Sequence, residues 1–419
     1  MADNHRMSRK SFAVAGILAL IIFAFPCSGA SKSSRSSKST KPSKPRPAPE
    51  TVALEKAVAA QWSEYKTQHG IPAGGLAVYV TTPDGNYFAS SSMAPGNGPD
   101  THFRVASITK TFTAAAIMLL NQQGKLRIDD TIVSPMPGQS APYVPDSAEF
   151  NVPYKSRITI RQLLAHTAGV FDVTNEAVPA TCPVPYAGKN YAQHLTEELG
   201  ERNHQFSPEE LVGVVAKCQL SYFAPGSGHH YSNTGYSLLA IIIQQVSGMS
   251  YDQFILQNLI APNGLSTTSV PMLATDQSLP SPYASGYVYE GGAVTDVTRS
   301  NMSVNIAEGN IVSTPADLAR WIRRLLRGEA GLNAASVAEM MTPTPQSGNR
   351  YGLGLISVPG LGYGHNGAHE GYMAFMLYDP NIDVAVIVYI SVWDVKNLMT
   401  DEAALLLQVV NEARAAVGY

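Results

Sequence analysis

The chain has 419 residues, of which 45% are hydrophobic and 15% charged, and its formal net charge is -3. This composition is typical of a globular protein and excludes a largely disordered chain. Residues 1–50 carry nine of the 29 basic and two of the 32 acidic side chains, so the rest keeps 20 basic and 30 acidic side chains. An acidic globular part argues against nucleic acid as a partner.

Residues 1–30 have the pattern of a signal peptide. Arg6, Arg9 and Lys10 precede an apolar run over residues 12–26, and Ser28 and Ala30 are small enough for a cleavage site. We therefore expect an exported protein, periplasmic or extracellular. The alternative is an uncleaved membrane anchor, although the apolar run is shorter than the roughly 20 residues that a span needs.

Residues 31–50 are rich in Ser, Lys and Pro and contain too little apolar surface to fold. We expect a disordered linker here. It either serves solubility or makes peripheral contact with an anionic envelope surface through its cations. Those cations are Lys32, Arg35, Lys38, Lys41, Lys44 and Arg46.

The remaining pattern predicts strands near both chain ends and helices between them. A helix over residues 52–68 precedes a hairpin with strands at 75–81 and 87–90, and further helices follow Ser107, Ser207 and Thr314. Strands are predicted at 351–357, 371–378 and 384–390, before a last helix at 401–417. We therefore predict an α/β (α+β) fold: one antiparallel sheet, flanked by helices and assembled from both chain ends, with an inserted, mostly helical lobe.

The expected boundaries follow from this pattern. Residues 51–419 would form the folded domain, with 51–130 and 306–419 in the α/β lobe and 131–305 in the helical lobe. Residues 171–203 are predicted to form a long loop, which we expect to line the entrance to a site.

Ser107 and Lys110 are the first candidates for chemistry. They lie one turn apart at a predicted strand-to-helix junction, where free N–H groups favour developing negative charge. Lysine at i+3 can reach the serine hydroxyl. A second Ser-x-x-Lys, Ser63 to Lys66, lies in a polar helix face and is interpreted as solvated surface.

Two further motifs follow: a Tyr-x-Asn pair that occurs once in the chain, and a His-x-Gly pair that is repeated directly afterwards at His369 and Gly371. Tyr231 and Asn233 form the Tyr-x-Asn pair, and His365 and Gly367 form the His-x-Gly pair. A phenol beside a lysine ammonium loses its proton more readily, so Tyr231 can serve as a base, and an amide can orient lysine and substrate.

Ser107-x-x-Lys110, Tyr231-x-Asn233 and His365-x-Gly367, in this order, resemble the serine β-lactamase and penicillin-binding-protein superfamily, nearest its class C-like branch. That branch includes D-alanyl-D-alanine carboxypeptidases, D-aminopeptidases, amidases and carboxylesterases. The resemblance covers residues 55–415 and implies a β-lactamase-like fold without a cofactor.

The resemblance implies an acyl-enzyme on Ser107, with Lys110 and Tyr231 as the two candidates for the base. Asn233, His365 and Gly367 would orient the substrate, and the backbone N–H groups of Ser107 and Ala368 would form the oxyanion hole. His365 stands where many relatives carry lysine, so a peptidase, amidase or esterase role is favoured over efficient β-lactam hydrolysis.

Cys182 and Cys218 are the two cysteines beyond the signal, and in an exported chain they can form one disulfide. No Cys/His cluster has zinc-site spacing, and glycines around His365 and His369 oppose a metal-binding helix, so no metal is expected. The expected partner is a small acyl substrate, with peptidoglycan peptides as candidates. The rival hypothesis is a non-catalytic envelope-binding protein with the same fold.

Overall fold

A computed structural model describes residues 48–397 and 400–419. The expected signal peptide and nearly all of the expected linker lie outside the described residues. The linker's last residues differ from expectation, because helix α1 already begins at Pro49. Proline suits a first helical turn, and Glu50 there complements the helix dipole.

Ten helices are assigned within the described residues: α1 Pro49–His69, α2 Thr109–Gln122, α3 Ile160–Leu164, α4 Tyr191–Gln193, α5 Pro208–Cys218, α6 Asn233–Ser247, α7 Tyr251–Ile255, α8 Pro315–Leu326, α9 Ala334–Met341 and α10 Asp401–Ala416. The strands there are β1 Leu76–Thr82, β2 Gly85–Ser91, β3 Phe103–Arg104, β4 Tyr287–Glu290, β5 Ala293–Asp296, β6 Val312–Ser313, β7 Ile356–Val358, β8 Gly362–His369, β9 Tyr372–Asp379, β10 Val384–Ile390 and β11 Val392–Asp394.

The central sheet is antiparallel and has six strands in the order β2-β1-β10-β9-β8-β7. Strand β1 near the beginning pairs with β10 near the end, in a register that places Leu76 opposite Ile390. Both chain ends therefore build one sheet, and a mostly helical segment is inserted between them. This confirms the predicted fold class.

Each face of the sheet has its own hydrophobic core. In β1, Ala77 and Tyr79 belong to one core, while Leu76, Val78 and Val80 belong to the other, as the twofold alternation of a strand requires. Helices α1 and α10 cover the second face, and α2 and α8 lie on the first. Strand β10 is buried on both faces, which explains its uninterrupted apolar sequence.

Several short strands were not predicted, and two cases are informative. Strand β8 contains glycines that suggest turns, and β4 and β5 form a hairpin inside the otherwise helical insertion. The glycines of β8 permit close backbone packing instead: a Cβ atom at Gly364 would lie 1.7 Å from the Met376 carbonyl oxygen.

No helix within residues 48–397 and 400–419 combines the length and apolarity needed to cross a bilayer.

Candidate active site

Ser107 lies in a short 3₁₀ turn, Ala106–Ile108, between strand β3 and helix α2. Ala106 has a positive φ of 49°, an unusual conformation for a residue with a side chain. The Val105 N–H donates to the Ile311 carbonyl at 3.2 Å, which fastens the turn beside strand β6. Ser107 remains partly exposed, so its hydroxyl is presented at the positive end of α2.

Lys110 is fully buried, and its ammonium joins three segments of the chain. The Nζ atom donates to Ser107 Oγ at 3.1 Å, to Asn233 Oδ1 at 2.7 Å and to the Glu308 backbone carbonyl at 2.7 Å. Burial lowers the pKa of Lys110 to about 8, against the opposing charge of Glu308. The amine is thus in place to exchange a proton with Ser107 near neutral pH.

Tyr231 places its ring over the lysine, with Nζ 4.8 Å from the ring centroid. Its ring is partly exposed, but its hydroxyl oxygen is buried and has no hydrogen-bond partner of normal geometry among the described residues. Burial raises the pKa of Tyr231 well above its usual value, and the neighbouring Ser107 hydroxyl opposes this only in part. In the free protein the phenol is therefore neutral.

Asn233 begins helix α6, and the Ser232 side chain caps that helix by accepting from the Gly235 N–H. The Asn233 amide nitrogen donates to Thr174 Oγ1 at 2.9 Å, and its backbone N–H donates to Asp172 Oδ2 at 3.1 Å. With the amide oxygen on Lys110, every polar group of this side chain has a fixed partner.

Asp172 and Thr174 were missed by sequence reasoning. Asp172 is 1% exposed, and its carboxylate also accepts from the backbone and side chain of Thr174 and Asn175. The signal was available, because Asp followed by Thr and Asn is typical of a turn closed by an Asp side chain. The start of the loop predicted at 171–203 thus holds Asn233 in place.

His365 lies in β8 with an exposure of only 1% and with both ring nitrogens engaged. Its Nε2 is 2.8 Å from the Tyr351 hydroxyl, and its Nδ1 is 2.5 Å from the Asn366 carbonyl oxygen. A carbonyl only accepts, so Nδ1 carries the proton and Nε2 accepts from Tyr351. Burial lowers the pKa of His365 to about 3, so the ring is neutral.

The same chain of hydrogen bonds continues to His166, which follows helix α3 and belongs to none of the three motifs. The Ser232 N–H donates to His166 Nδ1 at 3.1 Å, and His166 Nε2 is 3.1 Å from the Tyr351 hydroxyl. Since Nδ1 accepts, Nε2 must donate to Tyr351. Two neutral histidines and a tyrosine therefore tie β8 to the beginning of α6.

Gly367 and Ala368 continue β8 past the Ser107 turn. A Cβ atom at Gly367 would lie 2.2 Å from the Val105 carbonyl oxygen, so only glycine allows this approach. Strand β7 pairs with β8 only from Gly362 to Gly364. Beyond that point β8 packs against the turn that carries Ser107 rather than against β7.

Glu308 was also missed. It is 2% exposed and lies in the turn before β6, with its Oε2 atom 3.4 Å from Lys110 Nζ. The available signal was a lone charge between the apolar residues Ile306 and Ile311, which is typical of a buried charge with a partner.

The remaining sequence candidates lie apart from this cluster. Cys182 and Cys218 are disulfide-bonded, with Cα atoms 5.5 Å apart. Ser63 is exposed in the middle of α1, so the second Ser-x-x-Lys is a helix surface. Within the part of the chain that the structure describes, no three His, Cys, Asp or Glu side chains are grouped so as to hold a metal ion.

Residues 55–410 match the family model for Beta-lactamase. A penicillin-binding protein of Bacillus subtilis (strain 168) is 30% identical over 292 residues, covering 66% of this chain and 57% of that protein. Penicillin-binding protein 4 of Amycolatopsis lactamdurans is 25% identical over 356 residues, covering 78% of this chain and 83% of the relative.

Among solved structures, a D-stereospecific amidohydrolase from Streptomyces sp. superimposes with a TM-score of 0.68 at 27% identity, covering 87% of this chain and 98% of that one. A penicillin-binding protein from Bacillus halodurans shares the fold, with a TM-score of 0.63 at 22% identity over 80% of this chain and 95% of its own. The chain belongs to the beta-lactamase family of serine hydrolases.

Proposed function

We propose that the protein is a serine acyl hydrolase that forms an acyl-enzyme on Ser107. The observation that supports this most directly is the position of Lys110 Nζ, 3.1 Å from Ser107 Oγ and 2.7 Å from Asn233 Oδ1. A nucleophile in contact with a base, and a base held by a third group, is the arrangement that nucleophilic catalysis requires.

In the proposed first step, Ser107 Oγ bonds to the acyl carbon while its proton passes to neutral Lys110. Lys110 suits this role better than Tyr231, because burial brings the pKa of Lys110 down to about 8 and raises that of the phenol. The carbonyl oxygen becomes negative and would be held by the N–H groups of Ser107 and Ala368. The leaving group then takes the proton from Lys110, and water releases the acyl group by the same steps.

The proposed substrates are amides of D-amino acids or peptides that contain them, as for a D-alanyl-D-alanine carboxypeptidase-like peptidase or amidase. The similarity to a D-stereospecific amidohydrolase supports this class. Small esters are the second candidate. They are favoured by the neutral, buried His365, which supplies no fixed positive charge for a substrate carboxylate.

The test is covalent labelling followed by a substrate panel. Wild-type protein should be labelled by a fluorophosphonate or a fluorescent penicillin, and Ser107→Ala should lose both labelling and turnover. D-alanyl peptides, D-amino acid amides, nitrophenyl esters and a chromogenic cephalosporin then rank the activities. Persistent labelling of Ser107→Ala would refute the assignment, and tight binding of peptidoglycan fragments without labelling would favour the non-catalytic alternative.

Export is part of the proposal and rests on residues 1–30 of the sequence. Expression of the full chain in a bacterium, followed by fractionation and N-terminal sequencing, would locate it and identify any cleavage near Ala30. Recovery of the uncleaved chain in the membrane fraction would support the anchored form, and recovery in the cytoplasm would contradict export.

A further inference from the structure

Glu308 lies in a tight turn that is fastened to the helix carrying Lys110. Ala307 adopts a positive φ of 69°, and its carbonyl accepts from Thr113 Oγ1 at 2.6 Å. The Gly309 N–H donates to the Asn305 carbonyl at 2.8 Å, closing the turn. The turn is thus closed on itself and bonded to α2 through Ala307, which holds Glu308 beside the amine.

The carboxylate has two partners, one at each oxygen. Oε1 accepts from Asn305 Nδ2 at 2.8 Å, and Oε2 lies 3.4 Å from Lys110 Nζ. The stronger lysine contact, at 2.7 Å, goes to the backbone carbonyl of Glu308 and would exist with any side chain here. Burying a carboxylate costs free energy even when it is paired, so folding alone does not account for a charged residue at this position.

Glu308 is the negatively charged group in direct contact with the Lys110 amine, because the other titratable groups nearby are neutral or bonded elsewhere. Those groups are Asp172, Tyr231, Tyr236, His166 and His365. The histidines are neutral, and burial raises the pKa of both tyrosines. The Asp172 carboxylate is occupied by donors from Thr174, Asn175 and Asn233.

We propose that Glu308 is the third member of a Ser107–Lys110–Glu308 proton relay, in which its carboxylate orients the amine and stabilises the ammonium formed during acylation. The inference rests on the proposed acyl-enzyme function. When the Ser107 O–H bond breaks and Oγ bonds to the acyl carbon, the proton moves to Nζ and the carbonyl electron pair moves to oxygen. The positive charge created on Lys110 then faces Glu308, until the leaving group takes the proton.

Glu308 also sets the pH at which the amine becomes available. Burial favours the neutral amine and also raises the pKa of Glu308, while the charge of each group favours the charged form of the other. In the ionised pair, the carboxylate is the largest influence that raises the pKa of Lys110. Glu308 is therefore a positioning residue: it acts on the substrate only through Lys110.

The test compares Glu308→Gln with wild type in kcat and in the pH profile of kcat/KM. Glutamine keeps the shape and the backbone contact but removes the charge. We expect kcat to fall about 100-fold, as for loss of support to a general base. The acid limb of the profile should move to lower pH by about one unit or more, since an opposite charge has been removed. Glu402→Gln is the matched control, because Glu402 is equally buried but lies in α10.

Glu308→Asp provides the second variant. It keeps the charge but withdraws it by one methylene, so kcat should be intermediate and the acid limb should stay near that of wild type. If Glu308→Gln does not fold, the relay is tested with Glu308→Asp alone. A wild-type kcat in Glu308→Asp would then refute the relay.

The two proposals fail separately. Wild-type protein without Ser107-dependent labelling would refute the proposed function. Wild-type protein that is labelled, beside a folded Glu308→Gln with unchanged kcat and acid limb, would refute the relay alone.

Discussion

The Tyr351 hydroxyl donates to His365 Nε2 at 2.8 Å and accepts from His166 Nε2 at 3.1 Å. This one hydroxyl connects the strand that carries the His-x-Gly motif to His166, which follows helix α3 and in turn accepts from the Ser232 N–H at the beginning of α6. Sequence reasoning placed His365 at the substrate, whereas the structure engages both of its nitrogens inside the protein. The histidine at this position fixes the strand in place and does not present a charge to the cleft.

Replacing Tyr351 by phenylalanine should therefore destabilise the protein. The change leaves a buried donor on His166 and a buried acceptor on His365 without partners, each costing about 1–3 kcal/mol. Urea unfolding should show a loss of about 2 kcal/mol or more. Tyr283→Phe, at a 42% exposed tyrosine, is the control and should change little. Equal losses in the two variants would contradict the proposed linkage.

Acid should destabilise the fold through His365. Its pKa falls from 6.5 to about 3 on folding, so between these values the unfolded chain binds a proton that the folded protein does not. The contribution of His365 to the free energy of unfolding is complete above pH 6.5 and is lost as pH falls towards 3. The contribution is about 1.4 kcal/mol per pH unit. The free energy of unfolding, measured with urea between pH 7 and pH 4, should depend less steeply on pH for His365→Asn than for wild type. An identical pH dependence in the two proteins would refute the assignment.

Gly367→Ala should impair catalysis more than binding. The added Cβ would lie 2.2 Å from the Val105 carbonyl oxygen, so β8 must move away from the Ser107 turn. A displacement near 1 Å costs about 100-fold in rate, and we expect that loss in kcat with a smaller change in KM. Gly98→Ala is the control, since no atom lies within 4 Å of its added Cβ. Wild-type kcat in Gly367→Ala would show that the close approach is unimportant.

Removing the Cys182–Cys218 bond should lower stability without removing activity. The bond joins residues 36 positions apart, for which chain entropy gives about 4 kcal/mol at 25 °C. The double serine variant should unfold at lower urea concentration, and reductant should shift wild type in the same direction but leave the variant unchanged. A variant with wild-type stability would contradict this.

The sequence located Ser107, Lys110, Tyr231 and Asn233 because each pair lies within one helical turn or one helix start, where local spacing already determines proximity. The structure brings these pairs together around one ammonium. Glu308 could not be found in the same way. Its contact with Lys110 spans 198 positions and depends on a turn whose conformation local spacing does not reveal.

The fold likewise has parts that local sequence patterns predict and parts that depend on distant contacts. The fold class and strand β10 followed from runs of apolar residues, whereas β8 was missed because its glycines suggested turns. Only the packed neighbours of β8 explain those glycines, at Met376 and Val105. The β4–β5 hairpin was predictable in principle, because Gly291 and Gly292 between two short alternating segments favour a hairpin turn.

The sheet built from both ends of the chain affects how the protein tolerates truncation. The Gly75 N–H donates to Ser391 Oγ at 3.1 Å across 316 positions, and β1 pairs with β10 along its length. A chain cut before residue 384 would keep every motif up to Gly367 but would leave β1 with an open edge in the middle of the molecule. Such an edge invites pairing between molecules, so shortened products should aggregate rather than persist as smaller domains.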